Sequence, residues 1–159
     1  MLKDMQQPKI VILGMGNLLL QDEGIGIHFV QMLSKDELDY TNVEIIDGGT
    51  SPEIASLVED ADKLIIVDAV KGGKEPGTIY RFSADEIELD SPMKISLHYM
   101  GVLDNLMMLK LLRQKPLNTI IIGVEPETID WGLELSPRIK KRLEELKRIV
   151  IQEIRDEMA

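Results

Sequence analysis

Three side chains set far apart along the chain, Glu23, Asp68 and His98, are of the types that hold a metal ion. Two carboxylates and one imidazole make a mixed oxygen and nitrogen donor set, suited to zinc, nickel, iron or manganese, with positions left open for substrate or water. Asp68 directly follows the apolar run Leu64 to Val67, where a charge is costly to bury without a partner or a metal. His98 is one of only two histidines; the other, His28, falls beside the apolar stripe of a helix and is left out of the site. Nucleophilic catalysis is poorly served by comparison. The chain has no cysteine, which excludes thiolate chemistry, disulfides and sulfur-ligated zinc or iron–sulfur centres. No serine stands in a G-x-S-x-G elbow.

A glycine-rich run precedes the first of these residues. Gly14-Met15-Gly16-Asn17 leads through Leu18 to Gln21 into Asp22-Glu23-Gly24-Ile25-Gly26. Its beginning is like a dinucleotide fingerprint, but position 19 is Leu, and the acidic residue closing the next strand, Asp47, comes later than the roughly 20 residues that fingerprint sets. Gly14 and Gly16 read instead as a tight turn needing permissive backbone angles. Carboxylates at Asp22 and Glu23 also suit a helix N-terminus through its dipole. Asp47-Gly48-Gly49-Thr50 reads as a flexible turn after the second strand.

The elements that must position these residues come from the apolar patterning. Four short Ile- and Val-rich runs, Ile10 to Leu13, Val43 to Ile46, Leu64 to Val67 and Thr119 to Val124, predict buried parallel strands, apolar on both faces. Helical spacing links them: Ile25, Phe29, Met32 and Leu33 in one segment, then Ile54, Leu57 and Val58 in the next, started by Ser51 as N-cap, Pro52 and Glu53. Between Val67 and Thr78 the connection, Asp68 to Gly77, holds Gly72, Gly73, Pro76 and Gly77 and is too short for a helical crossover of a dozen residues or more, so Thr78 to Phe82 is expected to run antiparallel. Met100, Leu103, Leu106, Met107 and Leu111 predict a helix after His98, ending near Lys115 and Pro116. A last long amphipathic helix starts at Ser136 and Pro137 and carries Ile139, Leu143, Leu146, Val150 and Ile154 on one face, with Lys140, Lys141, Glu144, Lys147 and Arg148 solvated on the other.

The expected fold is a doubly wound α/β domain, with a mostly parallel five-stranded sheet, one antiparallel strand and helices on both faces. Ligands bind outside the carboxyl ends of such strands. In the flavodoxin-like order 2-1-3-4-5, strands one and three are neighbours, which brings the loops of Glu23 and Asp68 side by side, with His98 closing a triangle.

Composition bounds the rest. At 159 residues the chain is read as one domain, 1–159, and its 44% hydrophobic content is that of a globular protein. Acidic residues outnumber basic ones 28 to 18, a net charge of −10, which opposes nucleic-acid partners. The polar stretch Met1 to Lys9 lacks a signal-peptide core, and no uncharged apolar run of about 18 residues predicts a membrane span; a soluble cytoplasmic protein is expected.

These segments resemble the hydrogenase maturation proteases, which process the large subunits of nickel–iron hydrogenases. The likeness rests on Gly14-Met15-Gly16-Asn17 with Leu19-Leu20-Gln21-Asp22-Glu23-Gly24-Ile25-Gly26, on Asp47-Gly48-Gly49-Thr50, on Leu64-Ile65-Ile66-Val67-Asp68-Ala69, and on Ser96-Leu97-His98-Tyr99-Met100-Gly101, where relatives often carry Pro in place of Leu97. Gly123-Val124-Glu125-Pro126-Glu127 and Gly132-Leu133-Glu134-Leu135-Ser136 are similar too. The resemblance implies a phosphorylase/hydrolase-like fold and a metal-dependent endopeptidase that cuts the C-terminal extension from a nickel-loaded large-subunit precursor. Glu23, Asp68 and His98 would bind the nickel and form the catalytic site, while Asp47, Gly48, Gly49 and Thr50 would recognise the substrate. The nickel would come with the precursor, and another divalent metal could substitute. A bound ion would act as a Lewis acid on the scissile carbonyl or activate a water. The competing reading is a non-catalytic nucleotide- or metal-binding module of Rossmann-like fold.

Overall fold

The computed structural model describes residues 7–50, 60–83 and 118–159. In chain order they form β1 (Ile10–Met15), a 3-10 turn (Gln21–Gly24), α1 (Ile25–Lys35), β2 (Val43–Gly49), β3 (Lys63–Ala69), β4 (Ile79–Ser83), β5 (Asn118–Val124), a single helical turn α2 (Pro137–Lys140) and α3 (Leu143–Met158). The helices expected around 51–58 and 100–111, with the Ser51–Pro52 start, lie outside the described residues.

The strands join in one sheet of order β2-β1-β3-β5-β4. The β1–β2, β1–β3 and β3–β5 pairs are parallel, and β4 pairs antiparallel with β5. The order of the first three strands agrees with the flavodoxin-like expectation, whereas the last two exchange places. The short β3–β4 connection explains this: β4 turns back as an antiparallel strand on the edge, and the parallel β5 takes the place beside β3.

Every residue of β1 and β3 is buried, as a central parallel strand requires. Alternation puts Ile10, Ile12, Ile65, Val67, Ile120 and Ile122 into a core shared with Ile25, Phe29 and Leu33 of α1 and Leu146, Val150 and Ile154 of α3. Both described long helices thus cover the same face, while Val11, Leu13, Leu64 and Ile66 on the opposite face are buried as completely. In β2 the side chains are half-buried or exposed, because an edge strand has a neighbour on one side only; here the expectation of full burial does not hold.

The C-terminal helix differs from its sequence pattern in two ways. It is interrupted at Lys141 and Arg142, although the apolar spacing runs through. Its charged face is mostly exposed, but Lys147 pairs with Asp36 at 2.8 Å, tying α3 to the end of α1.

At the amino end of β3, Lys63 is buried and donates to the Glu153 carboxylate at 2.7 Å and to its backbone carbonyl at 2.9 Å. Arg81 of β4 reaches the other oxygen of the same carboxylate. Burial pushes the Glu153 carboxyl up, but the hydrogen bonds and charges of Arg81 and Lys63 outweigh it and hold the group below its usual range. A depressed carboxyl contributes stability above its unfolded-state value and loses it as pH falls through the folded-state one. Glu153→Gln should therefore cost about 3 kcal/mol at neutral pH, since it leaves buried Lys63 with only the more distant Glu157 carboxylate at 4.0 Å as counter-charge, and the cost should shrink on acidification. Urea unfolding at several pH values reads this; a pH-independent difference would contradict it.

Candidate functional site

Glu23 and Asp68 reach the carboxyl edge of the sheet by different routes. Asp68 is the penultimate residue of β3, opposite Gly123 of β5. Glu23 lies in the 3-10 turn that follows β1, and this turn packs against β3. Glycines make that approach possible. A Cβ on Gly26 would come within 2.1 Å of the Val67 carbonyl oxygen, and one on Gly14 within 2.2 Å of the Gly26 carbonyl oxygen. Gly16, at φ +146°, would place a Cβ 2.0 Å from the carbonyl oxygen of Glu23 itself. The glycine run therefore shapes the path of the backbone, and Gly26 brings helix and strand together, the task a dinucleotide fingerprint gives to its third glycine.

Asp22, whose acidic neighbourhood is explained in the sequence by a helix dipole alone, is fully buried and accepts four hydrogen bonds. Its Oδ2 receives the Glu127 amide at 3.0 Å, the Thr128 amide at 2.8 Å and the Ser136 hydroxyl at 2.7 Å, and its Oδ1 receives the Ser136 amide at 2.8 Å. The hydroxyl of Ser136 is thus committed to Asp22 and does not cap α2, although Ser136 stands at the N-cap position. The clamp joins the Glu23 turn to the segment after β5. Backbone bonds from Asp22 to Thr128 at 3.1 Å and from Gln21 to Gly132 at 3.0 Å reinforce it, and Gln21 holds the positive φ of 47° that the tight turn demands.

A second carboxylate of this kind, Glu125, closes β5. Its Oε1 accepts the Tyr80 hydroxyl at 2.6 Å and the amides of Gly72 and Lys74 at 2.9 and 3.2 Å, fixing the β3–β4 connection. Burial, followed by that hydrogen bond to Glu125, raises the Tyr80 hydroxyl above its ordinary value. Sequence reading assigns Asp22 and Glu125 no such duty; the signal available was the segment Glu125-Pro126-Glu127 directly after a strand.

Within the pair, the charge of Glu23 works against ionisation of Asp68. Asp68 is fully buried; its Oδ1 accepts the Ala69 amide at 2.7 Å, and its Oδ2 has no hydrogen-bond partner among the described residues. Burial drives its carboxyl well above the usual range; the Ala69 amide opposes this, and the charge of Glu23 adds to it. Glu23 is buried as well. A desolvated carboxylate oxygen without a donor, next to a second carboxylate, is a place where a cation is favoured and where a neutral ligand leaves a cost unmet.

His98 lies outside the described residues, and among the described residues no three His, Asp or Glu side chains converge to hold a metal. Glu23 and Asp68 are brought together; Asp47 is set apart. Asp47 pairs with Gly14, which on its other side pairs with Val67, so Asp47 stands two strand spacings, about 10 Å, from β3 and on the face opposite Asp68. It is exposed, its Oδ1 accepts the Gly49 amide at 3.1 Å, and Gly49 has φ +60°. Asp47, Gly48 and Gly49 are the last residues of β2 itself, so the turn expected there starts only at exposed Thr50. His28 is hydrogen-bonded to the backbone of Leu133, and burial lowers its ring below the ordinary histidine value, with the charge of Asp22 opposing.

The model of the hydrogenase maturation protease family matches residues 27–153. The hydrogenase expression/formation protein HupD of Thiocapsa roseopersicina is 39% identical over 139 residues, 86% of this chain and 63% of its own length, so the chain spans less than two thirds of that relative. The hydrogenase 2 maturation protease of Escherichia coli is 33% identical over 93% of this chain and 92% of its own. Among solved structures, the hydrogenase maturating endopeptidase HybD from E. coli superposes with a TM-score of 0.84 at 32% identity, covering 93% of both chains.

Proposed function

Because the chain belongs to the hydrogenase maturation protease family, we propose that it is an endopeptidase that removes the C-terminal extension of a nickel-loaded large-subunit precursor of a nickel–iron hydrogenase, reading the substrate's nickel with Glu23, Asp68 and His98. The observation that carries this reading is the buried Oδ2 of Asp68 beside Glu23, without a hydrogen-bond partner among the described residues. A precursor that brings a divalent ion supplies the partner that the Asp68 Oδ2 lacks among the described residues. An empty precursor does not, and this difference makes the metal a recognition signal.

In this reading Glu23 and Asp68 provide negative charge at fixed positions, held by the close β1–α1–β3 packing and by the Asp22 clamp, so little reorganisation is needed when the ion arrives. A divalent ion there supplies Lewis-acid polarisation of the scissile carbonyl or of the attacking water. Asp47, Gly48, Gly49 and Thr50 line the open rim of β2, where an extended substrate tail can be met by exposed backbone and one carboxylate. The net charge of −10 argues against nucleic-acid partners. The reading places the protein in the cytoplasm with its precursor, and among the described residues no helix is long and apolar enough to cross a membrane.

Incubating the purified chain with nickel-loaded precursor should lower the precursor's mass by a C-terminal fragment, while metal-free precursor stays intact. An unchanged mass for both, with nicotinamide fluorescence responding to the chain, would transfer the assignment to the nucleotide-binding alternative.

A further inference from the structure

Three large apolar side chains are exposed among the described residues, and all three belong to one pair of loops. Leu19 is 53% exposed, Trp131 80% and Leu133 62%. Leu19 precedes the 3-10 turn that carries Glu23; Trp131 and Leu133 flank Gly132 in the segment after β5. The two loops are tied by their backbones. Leu20 and Gly132 form a parallel bridge, the Gly132 amide donates to the Leu19 carbonyl at 2.9 Å, and the Gln21 amide donates to the Gly132 carbonyl at 3.0 Å. Position 132 also favours glycine, since a Cβ there would meet Gln21 Cγ at 2.9 Å. The exposed side chains are therefore held as neighbours on an ordered frame. Apolar groups presented this way mark an interaction surface, and tryptophan is the residue most enriched where partners bind tightly.

We propose that Leu19, Trp131 and Leu133 are the docking surface for the substrate polypeptide, and that they seat an apolar cluster rimmed by Lys and Arg on the precursor; this rests on the reading given under Proposed function. The first argument is placement. The Asp22 clamp and the Leu20–Gly132 bridge join this surface to the turn that carries Glu23, so a chain seated on it lies beside the carboxylate pair. The second is charge. No Lys or Arg occurs from Asn118 to Pro137. Asp130 and Glu134 are exposed and have no ion-pair partner among the described residues, while Glu127 is already engaged by Arg138 at 3.6 Å. An apolar centre with an acidic rim fits a partner whose apolar contact is ringed by basic side chains. The same rim disfavours a second copy of this chain, which would bring acid against acid across a two-fold axis, and disfavours an anionic membrane surface.

The test is a titration of purified nickel-loaded precursor with the wild-type chain, with the double variant Trp131→Ser/Leu133→Ser and with Asp130→Lys/Glu134→Lys, reading affinity and processing in parallel. All four side chains are exposed, so folding is preserved, and thermal unfolding verifies it. The apolar double variant should weaken precursor binding by roughly tenfold or more and raise KM alike, with kcat retained, the effect of truncating a central anchor. The charge variant should weaken binding at low salt and flatten its salt dependence. Trp131 is the sole tryptophan, so a fluorinated analogue gives one 19F resonance that should shift when precursor binds. If the wild-type chain cleaves precursor and the variants bind and cleave it equally well, the docking proposal is overturned while the protease reading stands. If the wild-type chain binds through this surface without cleaving, the protease reading fails and the docking surface remains. A change confined to sedimentation, with precursor affinity unaltered, makes the surface a self-contact and overturns the proposal.

Discussion

Asp68→Asn should reduce processing of nickel-loaded precursor by roughly a thousandfold, because a Lewis-acid contribution of several kcal/mol depends on the ion being held and each ~1.4 kcal/mol is a factor of ten. The same substitution should make the metal-free chain more stable. Asp68 is buried, and its carboxyl is raised well above the ordinary carboxylate value by that burial, with Glu23 adding to it. A raised carboxyl stabilises the folded state while it keeps its proton, and that contribution is lost as pH rises from the unfolded-state value towards the folded-state one. Asparagine carries no such penalty. Thermal unfolding of the two proteins from about pH 4 upward, starting near the ordinary carboxylate value, should show the variant's advantage growing with pH, at roughly 2–4 °C per kcal/mol. A variant that is both inactive and less stable at neutral pH would indicate that Asp68 has a structural partner and would remove it from the ion site.

Asp22→Ala should be the most damaging substitution for the fold around the site. It strands three amides, that of Ser136 buried and those of Glu127 and Thr128 part-buried, and one buried hydroxyl that now share a single carboxylate, and hydrogen bonds to a charged acceptor contribute about 1.5–3 kcal/mol each, so a loss on the order of 5 kcal/mol is expected. Asp22→Asn is the more informative variant. Donors approach both oxygens, so either orientation of the amide faces at least one donor with its own NH2 group. It should therefore recover only part of the stability, and processing should fall through both kcat and KM, because the clamp holds the turn bearing Glu23 and also both ends of the segment that carries Trp131 and Leu133. Chemical denaturation and steady-state kinetics measure the two effects. Full activity in a folded Asp22→Asn protein would show that the clamp does not position the site.

These two aspartates also mark how far the sequence is legible. The four parallel strands and the antiparallel return are read within two or three residues, since uninterrupted Ile and Val runs and a short Gly- and Pro-containing connection leave few alternatives. The adjacency of Glu23 and Asp68 follows from strand order, a property of the whole topology, and so it was reachable too. In the sequence Asp22 shows only its local position, because its partners lie 105 to 114 residues away. Ser136 misleads for the same reason: its place before Pro137 fits a cap, and only the folded chain shows that the hydroxyl is spent elsewhere. The break at Lys141 and Arg142 carries no glycine or proline to announce it, and the apolar period is undisturbed across it. His98 falls outside the described residues, so the third expected ligand is carried by its spacing and by resemblance.

Strand β3 holds a buried ion pair at Lys63 and a desolvated carboxylate at Asp68, five residues or about 17 Å apart along an extended chain. Perturbations that far apart generally combine additively. The base of this scaffold can therefore be hardened by protein engineering, through better pairing around Lys63 and Glu153, and the reserve so gained can absorb disruptive changes at the opposite end when new cleavage specificities are sought.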